Sequence, residues 1–417
     1  MKIWFAILLL LAQGAMAATT WYAAPAALGS GDGSSPANAK EFQNALNTIG
    51  NNNTIILVDG VYATTTRYLS QTYSGLTIQA QNRWKAVITG YNTNADYGLQ
   101  VYLKDSHTID GISVTNCTNS GIKITGAFTT VRNCYVARNG KLNEDGNGVE
   151  ANTSSHNTTV ENCLIESNGN GGGFGHGIYY AGNSNIVRNC VVRNNRGFGI
   201  HLYITTGSFP MDANHIYNNL TYGQTSQMGV VIYGADFGNN SSTRGTNFLY
   251  CNTFMDGVEL DWGGAYITNC IVRAGNNFPS DPIHPSGTRP PIYTAQGYIL
   301  TDQTEGGTGT VVTTYDATWF NNTSGALYWL GTSSPARGMA LNSVRPATNF
   351  FGTAISSISD VGFVQYDGQL AADFRDLTGT LADFWLYPPP GGGGGGGGSG
   401  PNTVTTAITA TQVRIGP

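Results

Sequence analysis

Along the middle of the chain, short β-branched apolar runs alternate with polar stretches rich in Asn and Gly, and each run is too short for a helix. The pattern repeats. A Gly followed by Ile or Val occurs at Gly121-Ile122, Gly148-Val149, Gly177-Ile178, Gly199-Ile200, Gly229-Val230 and Gly257-Val258, at intervals of 22 to 30 residues. A second segment recurs between them, at Val131–Cys134, Val160–Cys163, Val187–Cys190 and Ile267–Cys270. A period of this length is the mark of a solenoid. No helical periodicity intervenes, and strands that recur without crossover helices stack in parallel only by coiling. An all-β parallel β-helix is therefore predicted.

Alternation then assigns faces. With Ile122, Val149, Ile178, Ile200, Val230 and Val258 inside, the following residues point outward: Lys123, Glu150, Tyr179, His201, Val231 and Glu259. Two positions further come Thr125, Asn152, Ala181, Tyr203, Tyr233 and Asp261. Arg132, Glu161, Arg188 and Asp212 are expected to form a second outward row of alternating sign, a register-fixing ladder of exposed ion pairs. Phe42, Ala45, Leu46 and Ile49 follow a helical period within Ala39–Ile49 and predict a short helix capping the open end. Ile55–Val58, Leu76–Gln79 and Ala86–Thr89 read as first strands, with regular coils from about Leu99. Residues 275–350 lose the repeat in a proline-rich excursion, and coils resume loosely near Gly309–Thr314.

The repeat V-x-N-C-x-V-x-x-N-x-G-x-G-I-x resembles that of the right-handed parallel β-helices of the pectate-lyase-like superfamily, over roughly Tyr22 to Tyr366. Trp21–Pro36, Ile55–Tyr62, Ser334–Ala340 and Asp360–Tyr366 resemble the opening and closing segments of secreted members. The resemblance implies the fold. It does not fix an activity, because lyases, hydrolases, epimerases, tailspikes and adhesins share it. Of the polygalacturonase residue set only Gly175-His176-Gly177 is matched, without the flanking aspartates. The clustered calcium-binding aspartates of pectate lyases are not matched either.

Composition adds targeting and compartment. Lys2, the apolar run Ile3–Ala12 and Ala15-Met16-Ala17 read as a signal peptide over residues 1–17, so a secreted or cell-surface protein is expected. The apolar run is too short to span a bilayer, so the mature chain is read as not transmembrane. Residues 18–387 form the solenoid domain, 388–400 a linker with Gly391–Gly398, and 401–417 a Thr-rich tail. That tail reads equally as a pairing strand, for surface attachment, or as disorder. Charged residues make up 11% of the chain and its net charge is −5, which argues against nucleic acid as a partner. Six cysteines in an exported chain suggest disulfides, yet Cys134, Cys163, Cys190 and Cys270 share one repeat position. Stacked neighbours have parallel Cβ vectors, a poor geometry for bridging, so buried thiols are favoured. Asn133, Asn162, Asn189 and Asn269, beside them, are read as a stacked turn ladder. The spacing contains no zinc motif, and no metal or cofactor is expected.

The row Lys123–Glu150–Tyr179–His201 combines a cation, a carboxylate, a phenol and an imidazole, the groups wanted for proton transfer on a sugar ring. The bland alternative is a solvated face of cross-strand pairs. Read as a site, its catalytic candidates are His201 or Tyr179 as base, with Lys123 or Arg196 neutralising a substrate carboxylate. Glu150, Tyr203, Tyr233, His176 and Arg193 are candidate substrate-binding residues. His176 lies in the Gly-rich turn Asn168–Gly177, a candidate cleft wall. The expected function is binding of an extracellular polysaccharide, with β-elimination on a uronate-containing glycan as its reaction. The rival is a non-catalytic surface or adhesion protein.

Overall fold

The computed structural model describes residues 18–330 with breaks, the longest at 91–96, 205–210, 235–245, 274–282, 302–309 and 313–319, together with Ser334 and Ala336. The expected signal segment, the linker and the tail lie outside the described residues, as does Asp360–Tyr366. Three long sheets, of 12, 11 and 9 strands among the described residues, take one strand each from successive coils. All their pairings are parallel. The chain is thus a parallel β-helix.

Each coil follows one local rule. In the coil around Val187, Ile186–Arg188 joins the first sheet, Val191–Arg193 the second and Ile200–Ile204 the third. Asn189 bends the chain between the first two strands with φ of 54°, and Asn133, Asn162, Asn218 and Asn269 do the same on their coils. Asn tolerates the left-handed region better than other non-glycine residues. These asparagines are therefore bends, and the expected turn ladder is found one corner further on.

That ladder stands at the bend between the second and third sheets. Asn139 Nδ2 donates to Asn168 Oδ1, and Asn168 Nδ2 to Asn195 Oδ1, each at 2.9 Å. Each of these side chains also accepts from a backbone amide on the preceding coil. Gln224 Oε1 and Asp256 Oδ2 continue the series by accepting from the amides of Asn195 and Gln224. Inside a low-dielectric interior such fully paired amides hold neighbouring coils in register.

In the first five Gly-Ile/Val pairs, Gly121 to Gly229, the Gly is required by close approach, and Gly257 of the sixth has a φ of 79°. A Cβ on Gly177 would lie 2.6 Å from Gly199 O and 2.8 Å from Asn195 Nδ2. Beyond that glycine the strand turns its apolar residues inward, and Ile122, Ile178, Ile200 and Val258 are fully buried. All six cysteines are unbridged and buried, with Cys134, Cys163 and Cys190 in the interior column. On the next two coils Asn219 and Asn252 take that position, bonded Nδ2 to Oδ1 at 3.1 Å. Burial pushes the Cys134 and Cys163 thiols well up, so they stay protonated.

The capping helix is present as Phe42–Thr48. Its Phe42, Ala45 and Leu46 are fully buried, and Glu41 accepts from the Asn44 amide at its start, at 2.9 Å. Strands Thr54–Leu57, Thr77–Ala80 and Ala86–Thr89 lie within a residue of expectation.

Two expectations are corrected. The proline-rich stretch does not leave the solenoid at once. Ile283–Ser286, Ile292–Ala295 and Ile299–Thr301 add a further coil to the third, first and second sheets. Among the described residues the strand of Pro285 is the edge of the third sheet, where a missing amide donor is tolerated. The ion-pair ladder also differs. It runs Asp110, Arg132, Glu161, Arg188 and then Tyr217, so Asp212 does not belong to it. Arg132 pairs with Asp110 and Arg188 with Glu161, while Arg188 Nη1 donates to the Tyr217 hydroxyl at 2.9 Å.

Candidate functional site

Strand register places Lys123, Glu150, Tyr179 and His201 in one outward column of the third sheet. Gln100 precedes Lys123, and Val231, Glu259 and His284 follow His201. The column holds two chemically different halves.

The first half is ionic. Lys123 Nζ lies 2.8 Å from Glu150 Oε1 and 3.0 Å from the Tyr97 hydroxyl, above whose ring it also sits. Glu150 Oε2 accepts from Ser120 Oγ. Burial works against the charge of Lys123, but the hydrogen bond and charge of Glu150 outweigh it and raise its pKa. Lys123 is therefore a held cation, and both Glu150 oxygens are engaged.

The second half is aromatic. The His201 ring lies 5.3 Å from that of Tyr179, 5.2 Å from Tyr203 and 5.0 Å from Phe198. His176 stacks on Tyr179 at 6.0 Å and bonds His201, Nε2 to Nδ1, at 2.9 Å. Burial pushes His176 down to about 3 and, together with neighbouring His176, lowers His201 well below the usual histidine range. Burial likewise holds the Tyr179 phenol protonated, with Tyr203 and Glu150 adding to the effect.

His201 was expected to be exposed, and it is not. It points outward as the register requires, yet it is only 8% exposed. His176 and Phe198, from the equivalent bends of two successive coils, fold over it. Strand alternation describes strands and is silent on bends, so this cover does not follow from it.

The remaining candidates separate. Tyr203 lies beside Tyr179, with ring centroids 5.9 Å apart. Tyr233 pairs with Tyr203 in register, but its side chain lies outside the described residues. Arg193 stands on the second sheet, not in this column. Its Nε is 2.6 Å from Glu166 Oε2 and its Nη1 2.7 Å from the Tyr222 hydroxyl, so its fork is committed to the wall of the solenoid. Arg196 is exposed in the bend between Arg193 and Ile200. Half of the Gly-rich turn, residues 170–174, lies outside the described residues. Among the described residues no cluster of three or more His, Cys, Asp or Glu side chains is placed to hold a metal ion.

Phe198 is the residue that sequence reasoning missed. Its signal was available, because an aromatic in the Gly197-Phe198-Gly199 bend directly precedes the His201 strand.

Comparison with known proteins agrees on the architecture. Residues 60–254 match the family described as "Right handed beta helix region". The crystal structure of pectate lyase Pel9A aligns with a TM-score of 0.54 at 17% identity, over 83% of this chain and 96% of that one. The chain has the fold of a right-handed parallel β-helix. At such identity the likeness is one of fold. An alginate lyase from Paenibacillus sp. str. FPU-7 aligns with a TM-score of 0.34 at 15% identity, over 70% of this chain and 94% of that one. The tailspike protein of E. coli bacteriophage HK620, in complex with a pentasaccharide, gives 0.41 at 11%, over 66% and 51%. At these scores the last two carry no argument. No curated protein matches the sequence.

Proposed function

We propose that this chain is an exported polysaccharide-binding β-helix whose ligand lies along the outward column of the third sheet. One observation carries the reading. The rings of Tyr179, His201 and Tyr203 lie 5.2 to 5.9 Å apart, directly beside the Lys123–Glu150 pair. Rings offer apolar faces and edges to pyranose C–H groups, while a held cation and ring N–H or O–H donors suit hydroxyls and carboxylates. A uronate-containing glycan meets both halves of the column. The fold shared with a pectate lyase is in keeping with such a ligand.

β-Elimination is the catalytic extension of this reading. Lys123 would neutralise the uronate carboxylate and so acidify the C5 proton. Tyr179 remains as the base, although burial disfavours its ionised form. Binding without turnover asks less of these residues. In that form the column holds the glycan, and residues 401–417 attach the protein to a surface after export through residues 1–17.

A panel of pectins, alginates and glycosaminoglycans, read by calorimetry and by ultraviolet absorbance of unsaturated products, tests both. Binding of a uronate-containing member is expected, weakened by Tyr203→Ala. Absence of binding across the panel overturns the proposal, and new absorbance assigns it to the lyase form.

A further inference from the structure

We infer that His176 is a positioning residue that fixes His201 as a hydrogen-bond donor at Nε2, so that the column presents an N–H, not a base, to a ligand oxygen. The bond pattern requires it. The Phe198 backbone amide lies 2.9 Å from His176 Nδ1. A backbone amide only donates, so His176 Nδ1 is an acceptor and carries no proton. A neutral imidazole then bears its proton on the other nitrogen. That nitrogen, His176 Nε2, lies 2.9 Å from His201 Nδ1 and must donate to it. His201 Nδ1 is therefore also an acceptor, and its proton sits on Nε2. The tautomers are assigned from these partners.

Both rings are in the neutral form to which this reasoning applies. His176 is 3% exposed and His201 8%, with the Phe198 ring 5.5 Å from the first and 5.0 Å from the second. Charging His201 would place a proton on Nδ1, facing the His176 N–H, and break the link. His176 has little freedom to yield. Its amide donates to Asn147 Oδ1 at 2.9 Å, its carbonyl accepts from the Gly148 amide at 2.9 Å, and its ring stacks on Tyr179.

His201 Nε2 is not among the fully buried nitrogens that lack a partner. It is the outward end of a chain that begins at a backbone amide. An N–H there suits a carboxylate or hydroxyl oxygen of a sugar. It cannot accept a proton from carbon, which removes His201 as the base of an elimination. The donor role rests on the polysaccharide-binding reading above; the tautomer does not.

The test is long-range proton–nitrogen NMR of the full chain, which has six histidines, assigned through single substitutions. At pH 7 without ligand, both His176 and His201 are expected as neutral Nε2–H tautomers. In His176→Leu the donor is gone, and His201 is expected to divide between tautomers while glycan affinity falls with the fraction no longer Nε2–H, about twofold for an even division. His176→Gln can accept from the Phe198 amide and donate to His201, and is expected to restore both readouts. A purely structural role for His176 would not move the tautomer. An Nδ1–H or charged His201 in the unsubstituted protein, or an unchanged tautomer in His176→Leu, overturns the inference. Because the spectrum needs no ligand, a protein with the expected tautomers that binds no glycan sinks the binding proposal alone.

Discussion

Asn168 donates its side-chain amide to Asn195 Oδ1 on the next coil at 2.9 Å, and accepts from Asn139 on the coil before. Both neighbours are buried, so neither has water to fall back on. Asn168→Leu removes the acceptor for Asn139 and the donor for Asn195 together. At about 1–3 kcal/mol for each buried group left unsatisfied, a loss of roughly 2–5 kcal/mol is expected, read by denaturant unfolding. A change below about 1 kcal/mol would mean that the column is not what holds the coils in register.

Stability should fall as the solution is acidified from pH 7 to about 4. Burial lowers His107 to about 4 and His176 to about 3, lowers His201 well below its usual value and lowers His215 too. The unfolded chain takes up these protons near pH 6.5 and the folded chain does not. Their contribution is whole above the unfolded value and is lost as pH falls towards the folded ones. Asp256 opposes them, since burial raises its carboxyl to about 6 and the folded chain binds that proton first. Four lowered histidines against one raised carboxyl leave a net loss, at about 1.4 kcal/mol per pH unit for each uncompensated proton. A melting temperature that rises on acidification would contradict the burial of the histidines.

Thiol titration of unfolded, unreduced protein should find all six cysteines free. In the folded protein none should react quickly, because the thiolate is the reactive form and burial raises the Cys134, Cys163 and Cys270 thiols. Two or three disulfides would contradict the interior column.

His201→Ala and Tyr203→Ala should separate stability from binding. His201 is buried and accepts the His176 N–H, so its removal is expected to cost about 2–3 kcal/mol in unfolding experiments. Tyr203 is only half-buried, and its truncation should weaken glycan binding about five- to tenfold with a smaller loss of stability. Equal losses of stability in the two variants would show that Tyr203 serves packing.

The fold was legible because each coil repeats the same local problem and solves it with the same residues. Gly-Ile/Val marks a close approach followed by an inward side chain, and Val-x-Asn-Cys marks a strand, a left-handed bend and an interior thiol. The order Lys123–Glu150–Tyr179–His201 followed from that alignment. Failures came where the period is interrupted or where a bend decides. The coil after Ile200 is longer than its neighbours, so Tyr217 and not Asp212 stands at the position of Arg188. Prolines masked the coil at residues 283–301, since an edge strand tolerates what a central one does not. Asn133 and Asn162 attracted the ladder reading because they adjoin the cysteines, whereas Asn139, Asn168 and Asn195 carry it. Their own recurrence, at intervals of 29 and 27 residues, was the available signal.

The interior amide column also bears on how the molecule ages. Asn139-Gly140 and Asn168-Gly169 are sequences in which the glycine nitrogen readily attacks the asparagine side-chain carbonyl, expelling ammonia to form a cyclic imide that water opens to a carboxylate. In the folded chain the Gly140 nitrogen is tied to Cys117 O at 2.9 Å, and the Gly169 nitrogen to Asn139 O at 2.7 Å. The side-chain carbonyls they would attack are held by hydrogen bonds to the adjacent coils. Chemical lifetime is therefore coupled to the opening of the coils. Each excursion that frees these glycines risks a buried negative charge where a neutral amide stood, and a chain so altered could not close the column again.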